Sequence, residues 1–153
     1  MGTSKPAFDV WCRLAEVFLI QSLFYLSVGA VLIALCWICG TSVSLSLLLS
    51  SSAIDLSYSA GFTPVISFIL SIPPVSFAIY RAAGRPKECL DFASTLYILH
   101  LLITCSYELK VPLNISWWIL HGFSILVVST SSELLCIRRE AGVFSTKDEM
   151  AMV

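Results

Sequence analysis

Residues 85–107 read RPKECLDFASTLYILHLLITCSY. A short basic turn runs into an apolar stretch, Cys89–Tyr107, of the length that crosses a bilayer as one helix. Two ionisable side chains, Asp91 and His100, stand inside that stretch. In hydrocarbon such groups are costly, so they turn toward protein or water and are candidates for function. The pattern is that of a membrane helix, and the basic turn before it marks the side from which it enters.

The rest of the chain has the same character. Of its 153 residues 58% are hydrophobic and only 12% charged, with a mean hydropathy of +0.89. Soluble domains carry about 25% charged residues. Three more apolar runs flank the first. The sequence predicts an all-α polytopic membrane protein with a four-helix transmembrane domain over 17–137 and spans at 17–39, 61–80, 89–107 and 116–136. Residues 1–16 form an N-terminal segment and 138–153 a polar tail. The first run holds no formal charge, only Gln21, Ser22 and Ser27 as polar members. It exceeds the ~7–15-residue apolar core of a signal peptide, so it is expected to be retained as a span. Between spans one and two lies a serine-rich loop, 40–60, whose single charge is Asp55. Tandem Pro73-Pro74 predicts a kink in span two, because two backbone donors are missing. Trp117-Trp118 opens span four as an aromatic-belt pair.

Four spans put both termini and the 81–88 turn on one side. That side holds Lys5, Arg13, Arg81, Arg85, Lys87, Arg138, Arg139 and Lys147; the other holds only Lys110. By the positive-inside bias both termini are expected in the cytosol.

Depth along the helices, at ~1.5 Å per residue, places three polar groups together. Gln21, Asp91 and Glu133 each lie about a turn from the cytosolic end of a different span. They are the candidate partner-binding residues, expected to frame one shallow pocket open to the cytosol. Each also has a plain structural reading: Asp91 suits the first turn of its helix through the dipole, and Glu133 suits an ion pair with Arg138 or Arg85. Asp91 and His100 are nine residues apart, about 180° around a helix, so they face opposite ways. His100 shares a face with Tyr97, Thr104 and Tyr107, and fits a neutral imidazole that joins two helices. With Trp117 and Trp118 it forms the expected structural polar core.

Cys36 and Cys39 have CxxC spacing but lie in an apolar run with no second pair, so neither metal nor cofactor is expected. Cys12, Cys89 and Cys136 sit near span ends, where S-palmitoylation occurs. Asn114-Ile115-Ser116 is a formal glycosylation sequon, but it abuts Trp117 at the membrane and is expected to stay unmodified. No nucleophile–base–orienter set and no phosphate-binding glycine loop is present, so no enzyme is expected. No basic stripe supports nucleic-acid binding. The expected non-covalent partners are the lipid bilayer and a peripheral protein.

The set Cys89-Leu90-Asp91-Phe92, His100-Leu101-Leu102, Trp117-Trp118 and Glu133-Leu134-Leu135-Cys136 resembles the Sys-one family of Golgi four-span proteins. Ser67-Phe68-Ile69-Leu70 and Gln21 ahead of Phe24-Tyr25 fit the same pattern. The resemblance implies a multi-pass protein of the Golgi (trans-Golgi network) membrane. It implies a receptor that recruits an Arf-like (Arf-related) small GTPase with an acetylated N-terminus, in support of endosome-to-Golgi traffic. Asp91 carries over as the polar residue of the family motif. The chain departs from the family in having Phe8-Asp9-Val10 in place of Trp-Asp-Pro, Ser132 in place of a glycine, and the tandem prolines. An alternative function class is a small four-span transporter or channel subunit, with His100 and the proline break as its path.

Overall fold

A computed structural model describes residues 6–54 and 61–151, with side chains for 10–54 and 61–141. The sequence readings on Lys5, Phe8-Asp9, Asp55, Ser57, Ser59 and the Lys147 side chain fall outside the described parts. In chain order the elements are α1 (Pro6–Cys39), α2 (Ser46–Leu49), a 3-10 turn (Ser51–Ala53), α3 (Phe62–Leu70), α4 (Ile72–Ala82), α5 (Glu88–Glu108) and α6 (Ile115–Ala151). No strand occurs among the described residues. Four segments are long and apolar enough to cross a membrane: Val10–Cys39, Phe62–Ala82, Glu88–Glu108 and Ile115–Ala141. The all-α, four-span class therefore holds.

The first and last helices outrun the apolar segments from which they were read. α1 starts at Pro6 rather than near Val17, and α6 continues past 136 to Ala151. No glycine or proline interrupts Ala7–Val17, and Arg13 pairs with Glu16 three residues on, which supports the turn. Apolarity marks where lipid is met; helix ends are set by breakers. At the far end of α1 the breaker is Gly40, which takes φ +66°. Thr41 N donates to Cys36 O at 2.9 Å and Gly40 N to Trp37 O at 3.4 Å, the paired bonds of a Schellman stop.

Span two is interrupted as the prolines predict. α3 ends at Leu70, α4 begins at Ile72, and both prolines fall in the first turn of α4, where a missing donor matters least. Ser71 bridges the break. Its amide donates to Ser67 O at 3.1 Å and its hydroxyl to Phe68 O at 2.6 Å, while its carbonyl accepts from Val75 N at 3.2 Å.

α6 packs on both α4 and α5, and α1 packs on α3 and α4; α1 and α5 meet more sparingly. Between them lie Phe24, Val28, Phe68, Val75, Ile79, Leu96 and Val128, all buried. Buried hydroxyls are interleaved with them: Ser67, Ser71, Ser76, Thr104, Ser124 and Ser132. Small hydroxyl residues let helices approach closely where lipid removes the hydrophobic drive for association. Ser132 shows how, donating to Val128 O on its own helix at 2.7 Å and to Ser76 O on α4 at 3.0 Å. Outside the bundle Phe18, Leu26, Trp37, Ile98, Ile119 and Leu126 are exposed, as a lipid-facing surface requires.

At the end away from the termini, Glu108 clips the serine-rich loop. Its carboxylate accepts from Ser50 Oγ (2.6 Å), Ser51 Oγ (2.7 Å) and Ser51 N (2.8 Å). Asn114 adds a second tie, its Nδ2 donating to Ser51 O at 3.2 Å and Ile54 O at 2.6 Å. The nitrogen a glycan would occupy is thus already engaged.

Candidate partner-binding groove

At the end of the bundle that holds the termini, the sparse seam between α1 and α5 opens into a cavity of about 300 Å³. Its lining is Arg13 and Val17 from α1, with Glu88, Asp91, Phe92 and Thr95 from α5. Arg13 spans the seam. Nη1 lies 3.2 Å from Glu16 Oε2, Nη2 lies 3.3 Å from Glu88 Oε2, and the guanidinium carbon sits 5.7 Å from the Phe92 ring centre. Glu88 is the hub of the rim. It also meets Arg85 Nε at 3.4 Å and accepts from Gly84 N at 3.0 Å. The nearby charges of Arg13, Glu16, Arg85 and Glu88 therefore largely answer one another. Asp91 is exposed and makes no ion pair among the described residues. The groove offers one uncommitted carboxylate above apolar walls.

The three residues expected to share this pocket do not share it. Asp91 lines the cavity; Gln21 and Glu133 do not. Gln21 continues the Arg13–Val17 face of α1 one turn deeper, beyond the cavity, and its amide is buried without a partner. Glu133 is turned away by rotation about its helix axis, which equal depth does not fix. Glu133 belongs to the exposed stripe Leu126, Thr130, Glu133, Ile137 on the outer side of α6. Arg13 and Glu88 frame the groove in their place. A faint sequence signal existed for them: Arg13/Glu16 and Arg85/Glu88 are both i, i+3 pairs of opposite charge.

His100 sits elsewhere, fully buried at the bundle centre. Tyr25 Oη lies 3.0 Å from its Nδ1, joining α1 to α5. The His121 ring stacks on it at 5.0 Å and 14°. Trp117 in turn stacks on His121 at 4.0 Å and 21°. Phe24 and Phe68 close the cluster edge-on, at 5.4 and 5.5 Å from His100. His121 Nδ1 is 2.8 Å from Trp117 O, so that nitrogen carries the proton and donates. The Trp117-Trp118 pair divides. Trp117 is buried in this cluster rather than facing the headgroups, whereas Trp118 is half-exposed and its Nε1 donates to Pro112 O at 3.0 Å. Adjacent helical residues point about 100° apart, which lets Trp117 turn inward while Trp118 turns outward. His121 was not foreseen beside His100, because the two lie on different helices.

Fold and groove together define a polytopic four-helix membrane protein with a charged, partly open seam at its basic end. The comparisons with known proteins narrow the class. The profile of the SYS1 family, described as "Integral membrane protein S linking to the trans Golgi network", matches residues 7–143, and the chain belongs to that family. It is similar to Protein SYS1 homolog of Nematostella vectensis, 28% identical over 139 residues, covering 91% of this chain and 88% of the relative. It is also similar to Protein SYS1 homolog of Dictyostelium discoideum, 24% identical over 134 residues, covering 88% of this chain and 57% of that relative's length. No solved structure matches.

Proposed function

We propose that the protein is a non-enzymatic receptor of the trans-Golgi network membrane. It recruits an N-terminally acetylated Arf-like small GTPase and so supports endosome-to-Golgi traffic. Family membership and the eight-to-one lysine and arginine bias support a Golgi membrane protein with its basic end in the cytosol. An amphipathic helix alone binds membranes weakly and reversibly, so a stable address needs a second signal. The groove between α1 and α5 has the chemistry to supply it. The first turn of an incoming helix presents backbone N–H groups with no intrahelical acceptor and the positive end of the dipole. Acetylation removes the terminal charge and adds one more amide. The Asp91 carboxylate accepts these donors, while Val17 and Phe92 take the acetyl methyl and the first apolar side chain.

The observation that carries this reading is the uncommitted Asp91 in a groove whose other nearby charges are paired. The test is flotation of the GTPase with vesicles containing the protein, acetylated against unacetylated, and with Asp91→Ala. Loss of the acetylated form's binding on Asp91→Ala, with unchanged insertion, supports the proposal. Equal binding of both forms, or full binding to the variant, overturns it. The transporter alternative gains nothing from His100, which is sealed among aromatic rings.

A further inference from the structure

Two other grooves open on the bundle's flank toward the basic end. One, between α1 and α4, is lined by both Glu16 and Arg81 and is neutral in sum. The other, about 420 Å³, lies between α4 and α6 and differs in charge: Arg138 lines it and no carboxylate does. Its α6 wall is the stripe Ser131, Leu134, Leu135, Arg138, and its α4 wall includes Ser76 and Phe77.

Buried hydroxyls without a hydrogen-bond partner occur at Ser76, Thr104 and Ser124, and of these Ser76 is the one in the lining of this groove. Ser22, Ser67 and Ser132 each donate to the carbonyl four residues back. The Ser76 hydroxyl makes no such bond although it is 97% buried (3% exposed), and it has no hydrogen-bond partner. An unpaired buried hydroxyl costs about 1–3 kcal/mol. Ser131 faces the same groove, and its hydroxyl makes no hydrogen bond among the described residues. The hydroxyl level lies seven residues, roughly 10 Å, below Arg138 on nearly the same helix face. From the water edge inward the lining runs Arg138, then Leu134, Leu135 and Phe77, then the two hydroxyls, then Ile72 and Pro73, which places a cation for a headgroup phosphate, hydroxyls for ester carbonyls and an apolar floor for an acyl chain.

We infer that the α4–α6 groove binds one anionic glycerophospholipid of the leaflet at the basic end. Arg138 contacts the phosphate, Ser76 and Ser131 donate to an ester carbonyl, and the chain lies along Ile72 and Pro73. The site lies on a different face from the α1–α5 groove and stands independently of GTPase recruitment. Basic pockets between membrane helices recognise anionic headgroups, and one surface arginine changes such binding about fivefold.

The test is native mass spectrometry of the full chain released from micelles holding equal phosphatidylserine and phosphatidylcholine of matched chains. Wild type should retain phosphatidylserine about fivefold over phosphatidylcholine. Arg138→Gln, at an exposed position, should retain both lipids equally, while Arg81→Gln keeps the preference. Ser76→Val should lower retention of both lipids together, since esters are common to them. Equal retention by wild type overturns the inference, as does a preference that survives Arg138→Gln or is lost with Arg81→Gln. Should Ser76→Val fail to fold, the two arginine variants decide.

Discussion

The Tyr25 hydroxyl lies 3.0 Å from Nδ1 of His100, a hydrogen bond between α1 and α5 at the one level where the rest of the core is aromatic. Hydrogen bonds between membrane helices are worth about 0.6 kcal/mol on average, and Tyr25→Phe should cost close to that. His100→Ala should cost far more, about 3 kcal/mol, because it leaves a cavity bounded by Phe24, Phe68 and His121. Unfolding in mixed micelles measures both. Similar small losses for the two variants would mean that the imidazole is not packed as described.

Glu108 is the counterpart at the opposite end. Three donors from Ser50 and Ser51 converge on its carboxylate, and Glu108→Ala leaves them to find water. The expected loss is about 2 kcal/mol, since bonds to a charged acceptor are worth ~1.5–3 kcal/mol and the site is part-exposed. GTPase flotation should be unchanged, because the clip and the Asp91 groove are at opposite ends of α5. A variant that melts normally would show that the carboxylate clip does not hold the serine-rich loop, leaving it to Asn114 and the buried Ile54.

What the sequence displayed and what it hid follow from geometry. Spans and the proline break were legible because lipid demands long uncharged runs and proline lacks a donor, both local properties. Lysine and arginine placement, another one-dimensional quantity, gives the expected sidedness, which thiol labelling tests. The helices extend beyond the apolar spans, to Pro6 and Ala151, since apolarity says nothing of a helix that leaves the membrane intact. Of the candidate residues, Asp91 lines the α1–α5 groove, Gln21 is buried one turn beyond Val17, and Glu133 is exposed on the outer side of α6, because approximate depth in sequence fixes neither burial nor azimuth. The meeting of His100 with His121 depends on which helix neighbours which, and that arrangement is not written in either segment.

Two left-handed residues at helix ends predict changes of opposite sign. Leu109 follows α5 with φ 54° and ψ 26°, a conformation that costs a non-glycine residue about 1–2 kcal/mol, and its side chain is 90% exposed. Leu109→Gly should therefore stabilise by about 1 kcal/mol. Gly40 holds the same region at φ +66° with open space around it, so Gly40→Ala should destabilise by about 1 kcal/mol through backbone strain alone. Thermal melts of the two variants against the parent check both signs. A fall for Leu109→Gly would contradict the left-handed stop.

The cysteines test sidedness and packing in one experiment. Cys12 is exposed on α1 near the basic end, Cys39 is exposed at the far end of the same helix, and Cys89 and Cys136 are buried with their sulfurs 3.6 Å apart. Burial against one another leaves Cys89 and Cys136 no room for an acyl chain, so of the three span-end thiols only Cys12 is open to palmitoylation. In sealed Golgi vesicles with the cytosolic face outward, a membrane-impermeant maleimide should label Cys12 and not Cys39; Cys39 should react only after permeabilisation. Cys89 and Cys136 should resist until the protein is denatured. A small membrane-permeant oxidant should instead link those two within one chain, tying the start of α5 to α6, and peptide mass mapping would report the crosslink. Labelling of Cys39 from outside with Cys12 protected would invert the orientation and remove Asp91 from the cytosol, and with it the case for recruitment. Ready labelling of Cys89 in the native protein would show that α5 and α6 are not packed at that end.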